Sequence, residues 1–170
     1  MIAALSVLSF VTAERLAELA HARRNTRRLL ARGGREIAPE HYPLIVTLHA
    51  FWLSGLWFLA WRITPDMTWL AAFAALQAAR LWVLMTLGGR WTTRIIVVPG
   101  ETLVREGPYR FIAHPNYAVV VGEIAVLPLA FGLWRYALVF SLLNALVLTI
   151  RIRAENAALA GASALSGQSA

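Results

Sequence analysis

Apolar runs long enough to cross a bilayer, each followed by a short polar link, cut up residues 1–150 and leave few folds open. A hydrocarbon layer about 30 Å thick takes about 20 apolar helical residues to span. Inside it every backbone N–H and C=O must be satisfied by the chain itself. The runs fall at 1–19, 43–61, 67–87, 118–131 and 136–150, the fourth being short unless it begins at Pro115. With 59% hydrophobic and 15% charged residues in 170, and a mean hydropathy of +0.60, the composition is too apolar for a soluble domain of this length. The expected fold is an all-α integral membrane protein with five transmembrane helices, one domain over 1–159 and a disordered tail of small residues over 160–170.

The charges give the orientation. All sixteen basic residues are Arg, and the net charge is +7. The links after the first and third runs and the segment after the fifth hold nearly all of them, whereas the two intervening turns hold only Arg62 and Arg135. The positive-inside rule then puts the N-terminus outside and the C-terminus in the cytoplasm, the setting of a plasma-membrane protein. The first run has no basic residues ahead of it and reads as a retained span rather than a signal peptide. The basic stretch HARRNTRRLLARGGR at 21–35 has no interleaved aromatics and is joined to membrane spans, so nucleic acid is not an expected partner. Cysteine is absent, and the four His show no ligand spacing with carboxylates, so no metal site is expected.

Polar residues inside the runs are few and costly. Arg15 and Glu18 can pair three residues apart on the first helix. Arg80 must face protein, water or a ligand, or else snorkel. His49 reads as a residue satisfying a backbone group or a neighbour, and Glu123 and Asn144 interrupt the fourth and fifth runs. The links at 62–66 and 132–135 make helical hairpins, and 91–104, β-branched with a Pro99-Gly100 turn, reads as extended structure at the cytoplasmic surface.

Polar, special-backbone and ionisable residues crowd together in ETLVREGPYRFIAHPNY, residues 101–117. A Gly107-Pro108 turn is followed by His114-Pro115 opening a helix, where proline loses no hydrogen bond. The free amides and positive end of that helix favour an anionic group. Arg151 and Glu155, four apart after the fifth span, lie on one helix face and on the same side of the membrane. Taken singly, Tyr109 and Tyr117 read as interfacial aromatics and His114 as an ordinary helix-start residue.

Taken together, Gly107-Pro108-Tyr109, His114-Pro115-Asn116-Tyr117 and Arg151 with Glu155 resemble the isoprenylcysteine carboxyl methyltransferase superfamily of integral-membrane enzymes that use S-adenosylmethionine. Two positions depart from its pattern. Ala113 stands where Arg or Lys commonly precedes His-Pro, and Asn156 stands where a second Glu commonly follows the first. The runs at 14–25, 40–49 and 91–101 are similar to a bacterial branch that methylates alkylpyrones and alkylresorcinols. The resemblance implies a cytoplasmic cofactor pocket for S-adenosylmethionine formed by Glu101, Thr102, Leu103, Val104, Tyr109, His114, Pro115, Asn116, Tyr117 and Glu155. It also implies that Arg151 faces a lipophilic small-molecule acceptor drawn from among the membrane lipids. Methylation of a prenylated cysteine carboxylate or of a phospholipid amine, and an inactive membrane scaffold, are the alternatives.

Overall fold

The computed structural model describes residues 1–102 and 104–167, with side chains described as far as Ala157. Among the described residues the chain is carried by five long helices: α1 (Ile2–Ala31), α2 (Tyr42–Ala60), α3 (Met67–Leu87), α4 (Pro115–Ala130) and α5 (Trp134–Gly167). Among the described residues three helical stretches, Pro39–Ala60, Met67–Arg90 and Trp134–Ala157, are long and apolar enough to cross a membrane. The helix Pro115–Ala130 is apolar but shorter, and α1 carries Glu14, Arg15 and Glu18 along its length. Helix α5 continues to Gly167, through residues 160–167 of the tail expected to be disordered over 160–170. Residues 168–170 lie outside the described residues.

Local chemistry sets the helix ends. Asp66 caps α3, its Oδ1 accepting from the Thr68 N–H at 2.8 Å and the Trp69 N–H at 3.1 Å, which satisfies two of the donors that a helix start leaves open. Pro115 sits in the first turn of α4, where its missing N–H has no intrahelical role. The extended reading of 91–104 yields a three-residue strand, β2 (Ile95–Val97). Its partner was not foreseen. β1 (Arg35–Ile37), just past the glycines that end α1, pairs antiparallel with β2, Arg35 opposite Val97 and Ile37 opposite Ile95.

The main core joins Ala4, Leu8 and Val11 of α1, Trp52, Leu56 and Ala60 of α2, Phe73 of α3, and Val120, Ile124 and Leu127 of α4. Spacings of three and four put each set on one helix face. Where α3 meets α4, a Cβ on Gly122 would stand 2.7 Å from Leu76 Cδ2, so any larger residue would have to displace the Leu76 side chain. The opposite faces are bare hydrocarbon: Phe58 is 82% exposed, and Leu142 and Leu146 also point outward. Apolar surface of this extent belongs to lipid, and the protein is an integral membrane protein.

Inside this bundle lies a charged network. Arg80 of α3 is 2% exposed and pairs with Glu123 of α4, its Nε donating to Glu123 Oε1 at 2.7 Å. Its Nη1 stands 3.2 Å from Glu18 of α1. Arg15 completes the ring, 2.8 Å from Glu18 and 2.9 Å from Glu123, and Gln77 donates to Glu123 at 2.9 Å. Of the alternatives open to Arg80, the protein interior is the one taken. His49 has its Nδ1 2.8 Å from the Ile45 carbonyl, so it satisfies its own backbone.

Removing one member of a buried ion pair strands the other charge, at a cost of about 3–5 kcal/mol. Arg80→Met is therefore expected to lower the denaturant midpoint of the detergent-solubilised protein much more than Arg80→Met combined with Glu123→Leu. Equal midpoints for the single and double variants would show that the network does not join the helices.

Candidate functional site

The turn at Gly107–Arg110 and the start of α4 place one half of the site. Gly107 adopts φ +55°, and a Cβ there would run into Thr86 of α3, so this position requires glycine on both counts. The turn delivers Tyr109 against a small cluster of Ala22, Val83 and Trp91. Burial, together with the nearby Glu155 carboxylate, pushes the Tyr109 hydroxyl up to about 12. His114 immediately precedes α4, and its carbonyl accepts from the Tyr117 N–H at 3.1 Å. That turn stacks the two rings, centroids 5.4 Å apart and planes at 29°.

The other half comes from α5. The Tyr117 hydroxyl donates to Glu155 Oε2 at 2.7 Å. His114 Nδ1 lies 3.8 Å from the same oxygen, and His114 Nε2 lies 3.2 Å from Asn156 Oδ1. Arg151, 5% exposed and one turn earlier, donates from Nη2 to the Thr93 carbonyl at 2.9 Å. Residues separated by nearly forty positions thus meet because α4 and α5 form a hairpin.

Two contributors were missed in the sequence. Asn156 departs from the resembled pattern, yet it is the partner of His114. Thr93 acts through its backbone oxygen, which no residue type announces. Its loop is held by Thr93 Oγ1 donating to Tyr42 Oη at 3.3 Å, and by Arg94, which pairs with Glu36 at 2.6 Å and stacks 4.1 Å over the Tyr42 ring.

The expected set divides. His114, Tyr117, Arg151 and Glu155 converge, with Tyr109 close to Glu155. Pro115 is buried at the helix start. Glu101 turns elsewhere, pairing with Arg32 and lying 3.2 Å from Arg90, and the Thr102 carbonyl accepts from Arg90 at 2.8 Å. Thr102 and Val104 line an open cavity of about 800 Å³ between the ends of α1 and α3, a lining that does not include His114, Tyr117, Arg151 or Glu155. Leu103 lies outside the described residues.

Polar atoms remain to be satisfied beside the converged group. Asn116 Oδ1 and Trp91 Nε1 are buried with no hydrogen-bond partner among the described residues, a state that costs about 1–3 kcal/mol each. Among the described residues no group of His, Cys, Asp and Glu could hold a metal ion. One carboxylate, one imidazole, two tyrosine rings and an unpaired amide oxygen suit a polar, cationic organic ligand.

The family model of the isoprenylcysteine carboxyl methyltransferase (ICMT) family matches residues 69–161, more than half of the chain, a stretch that includes Tyr109, His114, Tyr117, Arg151 and Glu155. The chain is also 39% identical over 158 residues to the uncharacterized protein YpbQ of Bacillus subtilis (strain 168), an alignment covering 90% of this chain and 94% of that protein. No solved structure matches.

A hydrogen bond to a carboxylate contributes about 1.5–3 kcal/mol. Tyr117→Phe, which removes the bond to Glu155 and little else, is expected to destabilise the α4–α5 hairpin by that order, measured as a shift in the denaturant midpoint. An unchanged midpoint would mean that the two helices are not joined there.

Proposed function

The chain belongs to the isoprenylcysteine carboxyl methyltransferase family, and from that premise we propose that it is an S-adenosylmethionine-dependent O-methyltransferase acting on a lipophilic acceptor, a long-chain alkylpyrone or alkylresorcinol. The observation that carries the reading is the meeting of His114 and Tyr117 with Glu155 across the α4–α5 hairpin, one helical turn from Arg151. The bacterial-branch runs at 14–25, 40–49 and 91–101 point to the acceptor class.

In this reading Glu101, Thr102, Leu103, Val104, Tyr109, His114, Pro115, Asn116, Tyr117 and Glu155 hold the cofactor. When bound, S-adenosylmethionine supplies an electrophilic methyl group on a cationic sulfur. The Tyr109 and Tyr117 ring faces favour a cation. Glu155 accepts from amino or hydroxyl groups, His114 donates a hydrogen bond or positions the adenosine, and Asn116 Oδ1 gains the donor it lacks. Arg151 spends one N–H on Thr93 and keeps the rest of its planar fork for the oxyanion of the acceptor. A hydroxypyrone is largely ionised near neutral pH, so orientation supplies much of the rate and no strong general base is needed. A less acidic phenol would call on His114 or a tyrosine as base. The family's own description favours a prenylated cysteine carboxylate as the second reading.

In this proposal α1 and α4 also cross the bilayer, which makes five spans with the N-terminus outside and the site at the cytoplasmic face of a bacterial inner membrane. The uneven distribution of Arg supports it. A cysteine introduced as Ser163→Cys is expected to resist impermeant thiol reagents in intact cells; labelling there would reverse the orientation.

Purified protein given labelled S-adenosylmethionine is expected to methylate alkylpyrones or alkylresorcinols in preference to farnesylcysteine analogues. Preference for the latter would hand the site to the prenylcysteine reading. His114→Ala and Glu155→Ala should each weaken cofactor binding at least tenfold, about 1.4 kcal/mol, by calorimetry. Arg151→Lys should depress turnover far more than cofactor affinity. Folded His114 and Glu155 variants with unchanged cofactor affinity would remove the assigned site.

A further inference from the structure

The buried side chains described along α5 are Ala137, Asn144, Leu148 and Arg151. Spacings of seven, four and three residues place them on one helix face. This seam is narrow, because the flanking Leu143 and Ala145 are exposed and Leu142 and Leu146 face lipid. Arg151 ends it one turn before Glu155, and the rest should be apolar. Asn144 breaks that pattern: it is 1% exposed, and neither its Oδ1 nor its Nδ2 has a hydrogen-bond partner among the described residues.

Packing does not explain this amide. An asparagine between membrane helices ordinarily bonds across to its neighbour. Helix α4, which packs most closely on α5, carries Asn116, Tyr117 and Glu123 as its polar side chains. The Tyr117 hydroxyl is spent on Glu155, and Glu123 on Arg80 and Gln77. Asn116 Oδ1 itself lacks a donor and does not reach Asn144. Burying a polar group without a bond is costly, and leucine has the same branched shape without that cost. Asn144 is thus an unspent pair of donors and an acceptor, two helical turns from a guanidinium that also has N–H groups to spare.

Seven residues separate Asn144 from Arg151, about 10 Å along the helix axis. Helical side chains lean toward the N-terminus, so the longer Arg151 reaches back toward Asn144. The gap that remains is of the order of one substituted ring, and the buried Leu148 between them gives it an apolar floor. We propose that Asn144 is a specificity-determining residue of the acceptor site, binding a second oxygen of the acceptor head while Arg151 binds the oxygen to be methylated. The inference rests on the acceptor reading above and narrows it to heads with two oxygen functions a ring-width apart, as in a hydroxypyrone or a resorcinol. The Asn144 carbonyl accepts from a hydroxyl and its N–H donates to a ring carbonyl, so one amide serves both heads. A carboxylate, whose two oxygens fit a single guanidinium fork, would leave Asn144 unpaired. The exposed residues on either side of the seam let the acceptor arrive from the hydrocarbon with only side chains to displace.

The test compares a long-chain alkylresorcinol and a long-chain alkylpyrone with the alkylphenol of the same chain, which lacks the second oxygen, using the full chain and labelled S-adenosylmethionine. The wild type is expected to favour the dioxygenated acceptors by about a hundredfold or more in kcat/KM, the discrimination open to a site built to bond a polar group. Asn144→Leu should bring that ratio to within about threefold of unity by slowing the dioxygenated acceptors, with cofactor affinity unchanged. Its denaturant midpoint should be unchanged or raised, because leucine removes a buried amide that bonds to nothing. A lowered midpoint would show the amide to be paired inside the protein and overturn the assignment. So would a ratio that survives in the variant, or a wild type that turns over the alkylphenol as well as the others, and either result would leave the methyltransferase reading standing. Methylation of none of the three by the wild type would overturn the acceptor reading itself, and the role of Asn144 with it.

Discussion

The contact on which the rest depends is the ion pair between Arg80 and Glu123, closed into a ring by Arg15 and Glu18. Helices in lipid gain little from hydrophobic burial against one another, since the lipid is as apolar as their own side chains. A guanidinium and a carboxylate in that medium have no such indifference: each is costly alone and must find the other. Because the partners sit on α1, α3 and α4, the pairing fixes which helices are neighbours and which faces they turn inward. Gly122 against Leu76 then sets how closely α3 and α4 approach. With α4 fixed by this ring, His114 and Tyr117 at its first turn are fixed too.

The site inherits its precision from that arrangement and from a second, softer support. Glu155 accepts from Tyr117 and lies near His114, so α4 and α5 are tied at the end where they diverge. Arg151 is aimed by a backbone carbonyl, and the loop bearing that carbonyl is held by Tyr42, Arg94 and Glu36 through the two-stranded sheet. A guanidinium with one N–H already engaged presents the others in a fixed plane. The small β-structure, which has no place in the bundle core, thereby becomes part of the positioning of Arg151.

The split among the expected site residues follows from charge. The Glu101 carboxylate is drawn to Arg32 and Arg90, the nearest uncompensated cations, and takes the start of the 101–117 segment with it. His114 and Tyr117 are drawn to α5 instead, and the Gly107 turn is where the chain changes direction. One continuous motif therefore borders two different environments. One combines aromatic rings, imidazole and carboxylate; the other is strongly basic.

The helices are legible in residue types, because in a bilayer an apolar run of sufficient length satisfies its backbone internally as a helix: the limits of α3 at Met67 and Leu87 and the proline start of α4 can be read from the chain alone. Residue types also required a partner for Arg80, and the order and spacing of His114, Tyr117, Arg151 and Glu155 carried the resemblance to the family. Which groups meet was settled by helix packing. Glu18 and Glu123 were equally eligible counterions until the helices packed. Asn156 looked like a departure until it faced His114, and Thr93 had no side-chain chemistry to betray the carbonyl it offers Arg151. Strand β1 could not be read from Arg35–Ile37, because three residues of edge structure are stabilised by the partner strand and not by their own propensity. Pairings between distant residues depend on helix rotation and separation, and those are set by the packing of the whole bundle.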